Sequence, residues 1–269
     1  MQISAGTQTG LWLPTSALWR REMVRFFRQK NRVVGALATP LLFWLMLGTG
    51  MNNSFVSSDG ASSQGYLAYF YPGTIILMVL FTAIFSTISV IEDRNEGFLQ
   101  GVLVSPIPRL AIVLGKVLGG ASIATIQGSI MICLWPLIGQ IPSPTAIIMA
   151  IATLFLVGTA LTSLGLCIAW SMESTAGYHA IMNLFLMPMW FLSGAVFSLD
   201  KAPPWMRIAM YANPLTYGQL TFAHWLTGSS NHITQTITPT QALALLTLFT
   251  AVLLLAASKI VAAPNTKGH

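Results

Sequence analysis

Six long apolar runs divide this sequence, and they constrain its fold more than any other feature. Each is long enough to cross the hydrocarbon core of a bilayer, which takes about 20 helical residues. The runs lie at about 33–51, 69–91, 110–137, 145–172, 176–197 and 240–262. Of the 269 residues, 54% are hydrophobic and 7% are charged, whereas soluble domains contain about 25% charged residues. The sequence therefore predicts an all-α polytopic membrane protein with six transmembrane helices.

The basic residues flank these runs unevenly. With the N-terminus inside, only Lys201 and Arg207 of the 13 Lys and Arg residues fall on the outer side. Cytoplasmic loops carry the excess of Lys and Arg in membrane proteins. Both termini are therefore predicted to be cytoplasmic. The predicted division of the chain is a cytoplasmic tail and interfacial helix at 1–32, a membrane domain at 33–262 and a cytoplasmic tail at 263–269.

The segment before the first run has two faces at helical spacing. Trp19, Met23 and Phe26 share one face, and Arg21, Arg25 and Arg28 share the other. This pattern predicts a basic amphipathic helix that lies in the cytoplasmic interface of the membrane. A simple extension of the first span is excluded, because its charges would enter the hydrocarbon.

The outer connections differ from each other. The loop at about 52–68 is rich in Ser, Gly and Asn and predicts a flexible link. The segment at about 198–239 is rich in aromatic residues and weakly charged, which predicts short interfacial or re-entrant helices. Within the fifth run, Pro188 predicts a kink.

An island of charge and turn residues, IEDRNEGFLQGVLVSPIPRLAIVLGK, separates the second and third runs. After Glu96, the residues Leu99, Val102 and Leu103 give a short helix an apolar side, and the two prolines that follow end it. Such a helix can dock in a groove of a partner. On composition alone, a loop that is merely solvated explains the charges better.

No catalytic or metal-binding pattern is present in the sequence. Gly115 and Lys116 are followed by Val117, so they do not form a nucleotide-binding P-loop. Neither a zinc-protease motif nor a serine-hydrolase motif occurs. The sequence thus predicts no catalytic residues and no metal site, and the chain is not expected to be an enzyme. Glu173 and His179 could form a proton relay, but solvation of the turn after the fourth span is favoured.

The string EDRNEGFLQGVLVSPIPRLAIVLGK resembles the segment after the second span of ABC-2 type transporter permeases. That family reads approximately D/E-R-E-x-G-T-L-E-x-L-L-V-S-P-x-x-R and ends in G-K. Asn95 stands where the family has an acidic residue, and Phe98 where it has Thr. The stretch LSGAVFSLDKAPPWMRIAMYANPLTYGQLTFAHWL resembles the outer segment of the family. The resemblance covers nearly the whole chain and is nearest to the drug-exporter-like branch typified by daunorubicin permeases.

The resemblance implies a permease subunit of an ATP-binding cassette exporter in a bacterial inner membrane. The coupling element, at about 92–109, and the interfacial helix would contact a separate ATPase subunit. Its coupling residues would be Arg94, Glu96, Gly97, Phe98, Leu99 and Leu103, with the first two as polar contacts and the last three as the docked face. ATP and Mg²⁺ would bind to the ATPase, and this chain would bind no cofactor. Two ATPase copies and two permease copies, preferably a homodimer, would assemble among membrane lipids, without nucleic acid.

The transport pathway would lie between the two permeases. Its candidate residues, or those of the dimer face, are Phe81, Phe85, Met187, Met189 and Trp190. Soft apolar side chains suit an amphipathic or hydrophobic substrate, such as a drug-like molecule or a lipid-linked compound. For any single residue, contact with lipid or a neighbouring helix is the simpler explanation. Export of a polysaccharide or glycolipid, a non-transporting scaffold of the same fold, and an intramembrane enzyme or channel remain alternatives.

Overall fold

The computed structural model describes residues 10–51, 66–138, 141–196, 199, 202–228 and 237–263, and within these ranges the chain is helical with no strand. The helices are α1 Trp12–Arg28, α2 Lys30–Met51, α3 Tyr66–Ser86, α4 Ile88–Asn95, α5 Phe98–Val104, α6 Arg109–Ile132, α7 Pro144–Ser171, α8 Thr175–Trp190, α9 Pro204–Ala212, α10 Pro214–Thr227 and α11 Pro239–Ala262. The predicted loop at about 52–68 and the tail at 263–269 lie almost entirely outside the described residues.

Helices stand at all six predicted span positions. Four stretches in the described part of the chain are long and apolar enough to cross a membrane: Ala68–Asn95, Arg109–Leu137, Pro144–Ser171 and Pro239–Ala262. At the first position, the apolar part of α2 is the shorter stretch Val33–Leu47. At the fifth, α8 has 16 residues. The all-helical, multi-span prediction is confirmed, and the count of six crossings stays a prediction.

The centre of the bundle is formed by α3, α6 and α7. These helices approach closely where small residues face each other, as membrane helices do. A Cβ atom added at Gly158 of α7 would lie 3.2 Å from the Cα of Ala121 on α6. Along α3, every residue from 70 to 80 is buried. In α11, by contrast, large apolar side chains such as Leu248 and Leu255 are exposed, as expected for a surface that meets lipid.

The predicted amphipathic helix is present as α1, and it packs along α6. Two glycines one turn apart form the contact. A Cβ atom at Gly115 would lie 2.6 Å from the Cβ of Leu18, and one at Gly119 would lie 2.8 Å from the Cβ of Glu22. The two helices run in the same direction, and α1 is part of the folded domain. Its position in the membrane interface stays a prediction.

The segment after α8 contains two helices, as the aromatic composition predicts. The regular helix ends two residues after Pro188 and continues as a π turn, Phe191–Ala195, in which Gly194 has a φ of 86°. The short helix α9 leaves Trp205 and Ile208 exposed on one face. Helix α10 is mostly buried and packs against α7 and α11.

Because the α1–α6 contact leaves no room for a methyl group, we predict that Gly115→Ala destabilises the protein. The added carbon would meet the Cβ of Leu18, which cannot rotate away. Overpacking of this kind costs about 1–3 kcal/mol. Thermal unfolding in detergent micelles measures the loss. The matched control is Gly35→Ala in α2, where an added Cβ meets nothing within 4 Å; equal melting temperatures for the two variants would contradict the prediction.

Candidate functional site: the coupling element, its ionic cluster and the adjoining cavity

A buried cluster of charges joins three helices that are far apart in sequence. Lys116 of α6 donates hydrogen bonds to Glu22 Oε1 of α1 at 2.6 Å, to Ser89 Oγ of α4 at 3.0 Å, and to Asp93 of α4. The side chain of Lys116 is 3% exposed and that of Asp93 is fully buried. A charge buried this deeply is tolerated only when it is paired and hydrogen-bonded. The cluster therefore requires α1, α4 and α6 to be in place together.

Two arginines of α1 complete this ionic cluster. Arg21 holds Asp93 through both oxygens, at 2.6 and 2.9 Å, and Arg25 donates to Asp93 Oδ1 and to Glu92 Oε2, each at 2.7 Å. Burial by itself lowers the pKa of Arg21, but the hydrogen bonds and the charge of Asp93 outweigh it and hold the pKa above its usual range. The basic face predicted for the membrane surface thus carries two arginines that bind carboxylates of α4.

The coupling element begins where α4 ends. Gly97 has a φ of 77°, a conformation that favours glycine, and it turns the chain from α4 into α5. Helix α5 ends at Val104, before the predicted proline stop, and α6 begins at Arg109. There Arg109 donates to the carbonyl oxygens of Val261 and Ala263, at 3.0 and 3.2 Å. The predicted short helix is therefore present, between the turn at Gly97 and the start of α6, which Arg109 attaches to the end of α11.

The apolar side of α5 faces its own chain. Leu99 is 3% exposed, and Leu103 is partly buried against the core. The ring of Phe98 lies beneath the guanidinium of Arg21, 3.8 Å from its carbon, which is a favourable cation–π geometry. These three residues were predicted as the face that docks on a partner. In the structure Phe98 holds α5 to Arg21 of the ionic cluster, and Leu99 and Leu103 pack into the hydrophobic core.

The exposed side of α5 and of the turn before it is small and mostly polar. Val104 is 87% exposed, the side chain of Glu96 is 63% exposed, and Gln100 and Gly101 are exposed between them. Of the predicted coupling residues, Glu96 is therefore the one most open to a partner.

Arg94 turns away from that surface. Its guanidinium donates to the carbonyl oxygens of Trp170 and Met172, at 2.5 and 3.0 Å. These carbonyls end α7, where the helix dipole favours a cation. The structure thus gives Arg94 a contact within the chain, the attachment of α4 to α7.

Of the remaining residues predicted for the interfacial helix, some contact the rest of the chain and others are exposed at the surface. The indole of Trp19 donates to Ser122 Oγ of α6 at 3.1 Å. Met23 is half-buried, Phe26 is buried, and Arg28 is exposed. Only part of the predicted apolar face is thus free to meet lipid.

A cavity of about 420 Å³ adjoins the ionic cluster, between α1, α2, α3, α4 and α8. Three of the predicted pathway residues, Phe81, Phe85 and Met187, lie in its wall. Glu92 and His179 supply polar groups to a wall that is otherwise mainly apolar. A pocket with apolar walls and a few polar groups is typical of a ligand site.

The other two pathway candidates lie outside this cavity wall. Trp190 is fully buried, and its indole donates to the carbonyl oxygen of Gly73 at 2.8 Å. The carbonyl oxygen of Met189 accepts from Asn213 Nδ2 at 2.6 Å. Both residues attach the end of α8 to its neighbours.

A model of the ABC-2 type transporter family matches residues 14–226, which include the ionic cluster, the coupling element and the cavity. This chain belongs to the ABC-2 type transporter family. The family consists of transport permease subunits, which are generally not enzymes and normally work with an ABC ATPase. The family membership and the apolar helices together make this chain a multi-pass membrane protein.

Curated relatives agree with this membership. A protein of Cyanophora paradoxa named as the transport permease ycf38 is 26% identical over 221 residues, 79% of this chain and 76% of its own. Nodulation protein J of Rhizobium leguminosarum bv. viciae is 28% identical over 195 residues, 71% of this chain and 73% of its own. YbhR of Escherichia coli K12, named as a multidrug ABC transporter permease, is 30% identical over 135 residues, 50% of this chain and 36% of its own.

Sequence reasoning missed the ionic cluster of this ABC-2 permease. Lys116 was counted with the basic residues of the loop, although it stands seven residues into α6. Its position inside an apolar helix was the available signal, because a charge there requires a partner. Glu22 was the other signal, as an acidic residue among the arginines of α1.

For the ionic cluster we predict that Asp93→Asn is strongly destabilising. The change leaves Arg21, Arg25 and Lys116 gathered around a neutral amide, and breaking a buried ion pair costs about 3–5 kcal/mol. The neighbouring change Glu92→Gln, at a side chain that is 32% exposed, removes a single pair and should cost about 0–1 kcal/mol. Denaturant unfolding of the purified permease compares the two variants, and equal midpoints would show that the cluster does not stabilise the fold.

Proposed function

We propose that this chain is the permease subunit of an ABC exporter that moves an amphipathic or hydrophobic substrate outward, driven by a separate ATPase. The observation that carries the proposal is the coupling element. Its outward side is exposed, while its inward side contacts Arg21 of the ionic cluster through Phe98, beside an apolar cavity. A surface that receives the ATPase is thereby connected rigidly to a site that can hold substrate.

The working unit is two copies of this permease and two ATPase subunits, with ATP and Mg²⁺ on the ATPases. The six helices at the predicted positions cross the inner membrane with both termini in the cytoplasm, as the Lys and Arg distribution favours. In this orientation the coupling element faces the cytoplasm, where ATP is available. Binding of ATP then shifts the equilibrium between two arrangements of the helices.

The cavity fits an amphipathic molecule. The rings of Phe81 and Phe85 lie 5.5 Å apart, and the ring of Phe85 lies 4.7 Å from that of His179. Aromatic walls bind flat apolar groups of varied shape. Glu92, in α4, also lines the cavity and supplies a hydrogen-bond acceptor.

Capture of the ATPase tests the coupling element. We predict that Glu96→Ala combined with Val104→Asp reduces copurification of the ATPase, because both side chains are exposed at the coupling element, Glu96 before the turn into α5 and Val104 at the end of α5. A charge placed in a small docking surface, together with a lost polar contact, should weaken binding at least about tenfold. Quantitative pull-down from membranes carrying both subunits measures this.

The control is Trp205→Ala, a largely exposed residue on α9, which is on the outer side in the proposed orientation. It should leave capture unchanged. Equal capture by wild type and by the α5 variant would place the docking surface elsewhere. Wild type that captures no ATPase would favour a scaffold over a transporter.

Transport of daunorubicin tests the cavity. We predict that Phe85→Ala reduces daunorubicin uptake into inside-out vesicles by roughly two- to tenfold, because an aromatic contact of the substrate is lost. The control, Phe249→Ala, removes a phenylalanine from the exposed face of α11 and should have no such effect. Equal losses in the two variants would exclude a specific contact at Phe85, and no uptake by wild type would exclude daunorubicin as a substrate.

A further inference from the structure

The long helix that leads into the coupling element is interrupted at Thr87, between α3 and α4. The backbone N–H and the side-chain hydroxyl of Thr87 both donate to the carbonyl oxygen of Ile84, at 3.1 and 2.6 Å. Hydroxyl groups bonded back to the preceding turn bend helices. The interruption is therefore a defined joint between the bundle and the coupling element.

Tyr178 of α8 reaches into this joint. Its hydroxyl lies 2.7 Å from Thr87 Oγ1, and it also lies within 3.2 and 3.4 Å of the carbonyl oxygens of Ile84 and Gly165, which share its single proton with Thr87. The side chain is fully buried. A Cβ atom at Gly165 would lie 2.8 Å from Thr87 Oγ1 and 3.0 Å from the Tyr178 hydroxyl, so the absence of a side chain there makes room for both.

Helix α8 has few other attachments. Its buried residues are Tyr178, Met182, Leu186 and Trp190, every fourth residue along a single stripe. Side-chain hydrogen bonds to other helices occur at the two ends of the stripe, from Trp190 at one end and from Tyr178 at the other. A helix held along one narrow stripe can shift more readily than α3 or α7, which are enclosed by neighbours.

The joint lies directly behind the cavity wall. Phe85, Ser86 and Ile88, which surround Thr87 in sequence, line the cavity. His179, the residue after Tyr178, lines it too and packs against Phe85 with the two rings tilted by 42°. A movement at the joint consequently changes the wall itself.

We propose that Tyr178 is a positioning residue of transport, which carries displacement of the coupling element through the joint at Thr87 to α8 and so sets the opening of the cavity. The inference rests on the proposed function. Tyr178 acts through α8 without touching the substrate, since its hydroxyl is occupied by Thr87 and the two carbonyls.

The test uses a cysteine in the cavity as a reporter. Gly35→Cys is suited to this, because Gly35 lines the cavity and an added Cβ meets nothing within 4 Å. In a chain whose Cys133 and Cys167 are replaced by alanine, the rate of maleimide labelling is measured in the permease–ATPase complex. Labelling is measured once without nucleotide and once with ATP and vanadate. The ratio of the two labelling rates reports how far nucleotide changes the opening of the cavity.

Tyr178→Phe is compared with Tyr71→Phe. The control also removes a fully buried hydroxyl, which donates to the carbonyl oxygen of Met131 at 2.7 Å on the α3–α6 contact. Loss of one buried hydrogen bond shifts a two-state equilibrium by roughly two- to tenfold. We expect Tyr178→Phe to reduce the nucleotide-dependent ratio by about threefold or more, and Tyr71→Phe to leave it unchanged, with equal capture of the ATPase by all three proteins.

Equal ratios in the three proteins, or equal losses in the two variants, would overturn the role of Tyr178. A wild-type ratio of one, with the ATPase captured, would overturn it as well, because no movement would reach the cavity. Absence of ATPase capture by wild type is a separate result, and it would overturn the proposed function on which the inference rests. Thr87→Val, which keeps the shape of the side chain, should reproduce the loss seen in Tyr178→Phe.

Discussion

The buried carboxylate of Asp93 is the group on which the arrangement of this permease depends. It is fully buried, and three cations from two helices surround it. Such a group folds only when its partners arrive together, since an isolated buried charge costs several kcal/mol. Residues more than 65 positions apart in sequence are thereby required at one point. The glycines of α6 bring α1 near enough for this to happen.

This ionic cluster divides the molecule into a rigid part and a more loosely attached part. Helices α1, α4 and α6 share the cluster, and Arg94 and Arg109 extend it to the ends of α7 and α11 through backbone carbonyls. On the opposite side of the cavity, α8 is attached along one stripe of every fourth residue. A force applied to the coupling element therefore meets a stiff block first. Its effect should be greatest where the packing is least extensive, which is at α8 and the cavity wall.

Periodicity and composition predicted the elements, because both depend on local sequence. The helix α1, the short helix α5, the helices at six positions and the pair after α8 all follow from apolar spacing and turn residues. The orientation of α5 could not be predicted in this way. An apolar stripe such as Leu99 and Leu103 suits a partner or the chain itself equally well, and tertiary contacts decide between them. The pathway candidates divided for the same reason: Phe85 lines the cavity, whereas Trp190 is locked in the core.

The use of ions rather than apolar side chains at the centre of the coupling region has a mechanical consequence. An apolar contact between helices tolerates a small slip, because dispersion is weakly directional and neighbouring side chains can exchange places. The bidentate pair between Arg21 and Asp93 has one geometry. Lys116 adds a second constraint on the same carboxylate and a third on Glu22. A slip of one turn would leave at least one buried charge without its partner, so α1 and α4 should move as one body. In the proposed mechanism, a displacement applied to the small outward surface of α5 would therefore reach the joint at Thr87 without being absorbed on the way.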